Sequence, residues 1–128
     1  MLTDIQNMNL YLNTRDELYV INLEKVMFMQ ADDHYTYIYY ISGCKFMVPF
    51  GLSKIETLMA KYPDSSSFII RIGRSHIINT RCLTRVNNAK QIIILSDNKD
   101  NNYTIKVSRT AIKDIINRFS LSSENPSS

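Results

Sequence analysis

A chain of 128 residues with a hydrophobic fraction of 45% is long enough to bury one core and too short for two ordinary domains. The net charge of +3 is unevenly distributed, because residues 1–40 hold two basic and six acidic side chains whereas residues 68–118 hold ten basic and three acidic ones. The basic part is typical of a surface that binds a polyanion such as nucleic acid, although a lopsided solvated surface produces the same pattern.

Short runs of β-favouring residues dominate the first part of the chain. They predict strands over residues 10–12, 18–21, 26–29, 35–41 and 44–48. Polar turns separate them, with a hairpin turn at Arg15-Asp16-Glu17, a loop at Asp32-Asp33-His34 and a turn at Ser42-Gly43. Pro49 ends the last strand, since proline cannot donate a hydrogen bond to a neighbouring strand.

The period then changes from that of a strand to that of a helix. Ser53 and Glu56 have the spacing of a capping box, in which each side chain accepts from a free amide at the start of a helix. The apolar residues that recur at helical spacing are Ile55, Leu58 and Met59. Tyr62-Pro63 should end this helix.

The second part of the chain returns to strands and closes with a helix. Strands are predicted over residues 68–72, 76–78, 91–95 and 103–107. Ser108 is a favourable N-cap for the final helix. The apolar stripe of that helix is predicted to comprise Ile112, Ile115, Ile116 and Phe119. The fold class is therefore mostly β, with many short antiparallel strands and two short helices.

No arrangement of residues supports catalysis or metal binding. Ser75 and His76 are neighbours, and adjacent residues on a strand point to opposite faces, so they should not pair as nucleophile and base. Asp32 and Asp33 lie in a turn, where aspartate is favoured for backbone reasons. His34 and His76 belong to no zinc motif, and the scattered glycines form no phosphate-binding loop. We expect no enzyme, no metal and no cofactor.

The absence of a secretory signal and of a membrane span in this sequence predicts the compartment of the protein. The amino terminus has no basic region followed by an apolar stretch, and no apolar run approaches the ~18 residues of a membrane span. We expect a cytoplasmic protein without a membrane segment. Cys44 and Cys82 match no metal or redox spacing, so two buried thiols are expected in preference to a disulfide.

Three arginines are candidates for binding an anion. Arg71 and Arg74 bracket Ile72-Gly73, and a guanidinium can bridge guanine O6 and N7, grip a phosphate, or simply pair with a surface carboxylate. Arg109 follows Ser108 at the start of the final helix, where the helix dipole disfavours a cation. An anionic ligand would explain that choice.

Several segments, in order, resemble the LytTR family of DNA-binding domains. The segment RIGRSHIIN at 71–79 is similar to the family signature R-x-H-R-S-x-x-V-N, and VMFMQADDHYTYI at 26–38 is similar to I-x-Y-I-E-A-x-x-x-Y-V. Residues 50–56 match the entry to the family's first helix, and 105–109 match its V-S-R segment. Gly73 and Gln30 depart from the pattern, which has histidine and glutamate at these positions.

The resemblance implies an elongated fold of about ten strands whose loops, and not a recognition helix, enter successive major grooves of double-stranded DNA. The implied function is sequence-specific DNA binding in bacterial transcription regulation. The positions implied to face DNA are His34, Tyr35, Arg71, Arg74, Ser75 and Arg109. In the same pattern Ser75 and Asn79 mainly tie the loop to the neighbouring strand.

The resemblance also sets the expected domain organisation and partners. It covers residues 10–119, which leaves an N-terminal segment of residues 1–9 and a polar, disordered tail of residues 120–128. Many members of the family have a receiver domain ahead of this module and others are fused to membrane segments, so a receiver or sensor domain is a possible partner in the native context. A second copy on tandem half-sites is also expected. The alternative function is a β-rich protein-interaction module whose basic face meets an acidic partner.

Overall fold

The computed structural model describes residues 8–120, and in this range it contains ten strands and two helices. The strands are β1 (Asn9–Asn13), β2 (Leu18–Asn22), β3 (Val26–Asp32), β4 (Tyr35–Tyr40), β5 (Lys45–Val48), β6 (Ile69–Ile72), β7 (His76–Asn79), β8 (Leu83–Asn87), β9 (Ile92–Ser96) and β10 (Asn102–Lys106). The helices are α1 (Leu52–Met59) and α2 (Arg109–Ser120). The predicted fold class is confirmed. Residues 1–7 of the predicted N-terminal segment and 121–128 of the predicted tail lie outside the described residues.

The strands form three antiparallel sheets, of which the largest is central. The central sheet has the order β5-β4-β3-β7-β6, while β1-β2 is a hairpin and β10-β9-β8 is a three-stranded sheet. Strand β3 lies in the middle, and its residues Val26–Met29 are all buried. Both faces of the central sheet are covered, which explains why β3 begins with a continuous apolar run and does not alternate.

Each face of the central sheet packs against its own hydrophobic core. The hairpin and α1 cover one face, where the buried residues include Leu10, Leu12, Ile21, Met29, Ile38, Ile55 and Ile77. The three-stranded sheet and α2 cover the other, where they include Met27, Phe28, Ile78, Ile93, Leu95, Ile112 and Ile115. A register shift between Val26 and Phe28 lets the adjacent Met27 and Phe28 join the same core.

The predicted stripe of α2 is only partly correct. Ile112 and Ile115 are buried as expected, but the stripe begins at Ala111, and Ile116 and Phe119 are exposed. Ile116 lies at the edge of the narrow buried stripe. Phe119 is in the last turn, past the core, and lines a surface groove beside Leu83.

Two further features differ from the sequence predictions. Strand β8 was not predicted, because its exposed Thr84 and Arg85 hide the strand pattern at the edge of its sheet. Both cysteines are free thiols, but only Cys82 is buried. The prediction of a buried Cys44 is wrong, since this residue lies between a tight turn and the edge strand β5. Neither described helix is long and apolar enough to cross a membrane.

Candidate nucleic-acid interface

Two hairpin turns lie side by side at one end of the central sheet. One, which we call the 33–34 turn (Asp33-His34), joins β3 to β4, and the other, the 73–75 turn (Gly73-Arg74-Ser75), joins β6 to β7. The amide of Ala31 donates to the carbonyl of Ser75 at 2.8 Å. This bond connects the two predicted contact segments through neighbouring strands.

The 73–75 turn presents one unpaired guanidinium. Gly73 has φ +64°, a left-handed conformation that favours glycine, and the space beside its Cα is open. The following residue, Arg74, is exposed, and within residues 8–120 its side chain has no protein partner. An arginine in this position is free to bind a ligand outside the protein.

The guanidinium of Arg71, in contrast, is bound within the protein. Its Nε donates to the Gly73 carbonyl at 3.2 Å and its Nη2 to the Arg74 carbonyl at 2.9 Å. Its Nη1 donates to the hydroxyl of Ser53 at 3.1 Å and to the carboxylate of Glu56 at 2.9 Å. The side chain is only 21% exposed. The structure therefore separates two arginines that the sequence had grouped as one contact.

Ser53 and Glu56 do not form the predicted capping box. Helix α1 has Gly51 as its N-cap, with no side-chain capping bond, so Ser53 lies inside the helix. The three-residue spacing instead places both side chains on one face of α1, where both accept from Arg71. The capping-box prediction is therefore wrong, because the partner of both side chains lies on a distant strand.

Ser75 and His76 also differ from expectation. The Ser75 hydroxyl lies 3.0 Å from Nδ1 of His76, although strand geometry predicted opposite directions. The prediction is wrong because Ser75 belongs to the turn and only His76 to β7. Burial lowers the pKa of the His76 imidazole, because desolvation disfavours its charged form. Burial therefore favours the neutral form of His76.

Within residues 8–120, no side chain from elsewhere in the protein forms a hydrogen bond with the 33–34 turn. Asp33 has φ 58°, and its carboxylate lies 3.6 Å from Nε2 of His34, whose side chain is 90% exposed. Tyr35 begins β4 opposite Asp32 and is also exposed. Two carboxylates thus flank the predicted contact residues, so the electrostatics of this turn are opposite to those of the 73–75 turn.

The start of α2 has the predicted cap. The hydroxyl of Ser108 accepts from the amide of Ala111 at 3.1 Å, and Arg109 is exposed, with no side-chain partner in the described part of the chain. An open cleft lined by Gln30, His76 and Lys106 connects the end of β10 to the central sheet near the two turns. The chain enters α2 three residues after Lys106.

Comparison with known proteins agrees with this architecture. The family model described as the LytTr DNA-binding domain matches residues 16–120. The chain belongs to the LytTR family. A solved LytTr DNA-binding domain of a putative methyl-accepting/DNA response regulator from Bacillus cereus is 22% identical, with a TM-score of 0.58, over 85% of this chain and 94% of that one. It has the same fold. The search of curated proteins gave no match.

In this LytTR domain Asn79 has a structural position. It is 1% exposed, its Nδ2 donates to the Val26 carbonyl at 2.8 Å, and its Oδ1 accepts from the Arg81 amide at 2.8 Å. The bond to Val26 fixes β7 to β3 at the end of the sheet opposite the two turns, and the bond from Arg81 caps the short helical turn that follows β7. The bond to the neighbouring strand that supports the turn itself comes from the backbone of Ser75.

Sequence reasoning missed one residue at the site of this LytTR domain. Lys106 is the last residue of β10, and its exposed cationic side chain lines the cleft with His76. Residues 103–107 alternate between apolar and polar side chains, which places Lys106 on the solvent face. Its position three residues before Arg109 was the available signal.

Proposed function

We propose that this LytTR domain recognises specific DNA sequences through the 33–34 turn, the 73–75 turn and the start of α2, and that it regulates transcription in a response-regulator system. The observation that supports this most directly is Arg74, an exposed and unpaired guanidinium on a turn that the protein holds in place. An arginine so placed can donate two hydrogen bonds to one guanine.

The size of the turns suits the major groove of DNA. That groove is about 12 Å wide and admits a two-stranded β ribbon, so a hairpin end can bring side chains to the base edges. Arg74 then contacts a base, while His34 and Tyr35 contact the neighbouring segment. Arg109, at the start of α2, binds a backbone phosphate, because free amides and the helix dipole attract an anion there.

The decisive experiment compares specific and random duplexes over a range of salt concentrations. A binding site is first selected from a randomised duplex pool. Affinity for both duplexes should fall with salt, and the selected site should keep an advantage after the electrostatic part is subtracted. Equal affinity for both duplexes at every salt concentration would refute sequence-specific binding. It would leave the alternative of a basic face for an acidic protein partner.

Arg109→Ala tests the proposed phosphate contact. Binding should weaken by a similar factor on every duplex, and the slope of log affinity against log salt should fall by about one unit. The melting temperature should stay equal or rise slightly, because an unfavourable interaction with the helix dipole is removed. Lower melting with unchanged DNA binding would identify Arg109 as a structural residue.

Assembly on DNA is the second part of the proposal. We expect a monomer in solution that binds one half-site weakly and two half-sites more tightly when they lie on the same side of the duplex. Such half-sites are separated by whole helical turns of about 10–10.5 base pairs. Inserting about five base pairs should abolish the gain. Sedimentation and a spacing series test these expectations, and binding that is indifferent to spacing would contradict them.

A further inference from the structure

We infer that Arg71 is a positioning residue, which sets the sequence preference of Arg74 by bracing the 73–75 turn against α1 and does not itself contact DNA. This inference rests on the proposed function, in which Arg74 contacts a base. It reassigns Arg71 from a contact residue to the support of one. The bonds of its guanidinium, described above, are the starting point.

The first argument is that the protein binds four of the five N–H donors of Arg71. Nε and Nη2 each donate to a carbonyl of the turn, and Nη1 donates to the side chains of Ser53 and Glu56 on α1. The charge is also compensated, because Glu56 lies 2.9 Å from Nη1. A phosphate that binds Arg71 through two hydrogen bonds would have to displace Glu56, Ser53 or a carbonyl of the turn, because only one N–H of Nη2 remains.

The second argument concerns what the bonds do to the turn. The carbonyls of Gly73 and Arg74 flank the backbone of Arg74, and one planar group holds both of them. A planar guanidinium with fixed donor directions fits such a pair of acceptors, whereas a lysine ammonium does not. The backbone of Arg74 is therefore fixed before DNA arrives, which lowers the entropy cost of orienting its side chain on a base.

The third argument is that the brace is anchored in the core. Ile55 on α1 and Ile69 and Ile77 on the flanking strands belong to one buried cluster. Ser53 and Glu56 are on the same helix as Ile55. Arg71 therefore ties the exposed turn to a helix whose position is fixed by packing in the core.

Two variants distinguish a bracing role of Arg71 from a DNA contact. The quantity measured is the discrimination ratio, which is the affinity for the selected site divided by the affinity for random duplex. Arg71→Lys keeps the charge but loses the planar fork, and the ratio should fall about tenfold while random-duplex affinity changes less than about threefold. A ratio that stays as in the wild type would overturn the inference.

Glu56→Ala should change the discrimination ratio under one explanation and not under the other. Removing an acidic charge near DNA should by itself tighten binding to both duplexes and leave the ratio unchanged. Weakening of the brace should lower the ratio by about threefold and not more, because Arg71 keeps its hydrogen bond to Ser53. The matched control is Glu24→Ala, which breaks another pair of this kind, 3.3 Å from Arg81, at the opposite end of the sheet. The control should leave the ratio unchanged.

A double-mutant cycle tests whether Arg71 acts through Arg74. In an Arg74→Ala background, Arg71→Lys should produce no further fall in the ratio, because the side chain that it positions is absent. A further fall of the same size as in the wild-type background would show an independent contact and overturn the inference.

A measurement without DNA keeps this inference separate from the proposed function. Backbone nitrogen relaxation of the free protein should show increased mobility at Gly73 and Arg74 in Arg71→Lys, with Asp33 and His34 unchanged. Unchanged relaxation at Gly73 and Arg74 would refute the brace even if DNA binding is specific. Failure of the wild type to distinguish the selected site would refute the proposed function and leave the relaxation result standing.

Discussion

The 73–75 turn and the 33–34 turn are neighbours with the same expected function, yet the protein builds them in opposite ways. The first is basic and is held by an arginine that binds two of its carbonyls. The second is flanked by two aspartates, and its one ion pair is between exposed neighbours 3.6 Å apart. A braced turn can impose a direction on a base contact, whereas an open turn has to be ordered on binding.

The two histidines follow the same division. His76 adjoins the 73–75 turn, is partly buried and lies 3.0 Å from the Ser75 hydroxyl. His34 forms the tip of the other turn in full contact with solvent. One histidine is thus available to influence folding and the other to influence binding. This division can be tested by mutation.

The largest expected effect is that of Arg74→Ala. If Arg74 contacts a guanine, specific binding should lose about 1–3 kcal/mol, and the preference should relax at one base position only. His34→Ala, in the open turn, should lose less than about 1 kcal/mol, because part of its contact energy is spent on ordering the turn. Affinities for the selected site and its single-base variants measure both. Equal losses for the two variants would remove the distinction between the turns.

Gly73→Ala probes the backbone of the braced turn. Because Gly73 has φ +64° and no atom lies within 4 Å of an added Cβ, the cost is conformational strain without a clash, about 1 kcal/mol of unfolding free energy. Gly51→Ala is the matched control, since its φ of −72° suits any residue. Urea denaturation measures both variants. A control that is destabilised as much as Gly73→Ala would contradict the argument from φ.

The pH dependence of stability should come from the histidine beside the braced turn. Because burial lowers the pKa of His76 in the folded protein, the unfolded chain binds the proton more readily, and unfolding free energy should decrease as the pH falls below about 6.5. His76→Gln should remove this decrease, which denaturation at several pH values can measure. His34→Gln should keep it, because His34 is exposed to solvent in the folded protein. If His34→Gln removed the decrease in unfolding free energy and His76→Gln did not, the assignment to His76 would be wrong.

Asp33→Asn should give the smallest effect. It removes an exposed negative charge beside the proposed DNA contact and keeps a side chain that tolerates φ 58°. DNA affinity should rise by a few tenths of a kcal/mol on all sequences, and the gain should vanish at high salt. A salt titration on random duplex measures it. Weaker binding would mean that the carboxylate itself accepts a hydrogen bond from DNA.

The sequence by itself determined the local features of this protein. Periods of two and 3.6 residues located most strands and both helices, since the side-chain direction depends only on neighbouring backbone geometry. The Ser108 cap is confirmed because a cap involves residues only three positions apart. The ordered motifs placed the chain in its family. Strand β8 was not predicted, because its position at the edge of the sheet allows polar residues on the exposed side.

Only the tertiary structure decided which side chains meet. Arg71 and Arg74 look alike in the sequence, but one faces Ser53 and Glu56 on α1 whereas the other faces solvent. The spacing of Ser53 and Glu56 predicted a capping box, and it could not identify their actual partner, Arg71, which lies fifteen positions or more away. Burial of Cys44 and Ile116 was likewise wrongly assigned. Local pattern fixes the face on which a residue lies, and long-range packing alone fixes what that face meets.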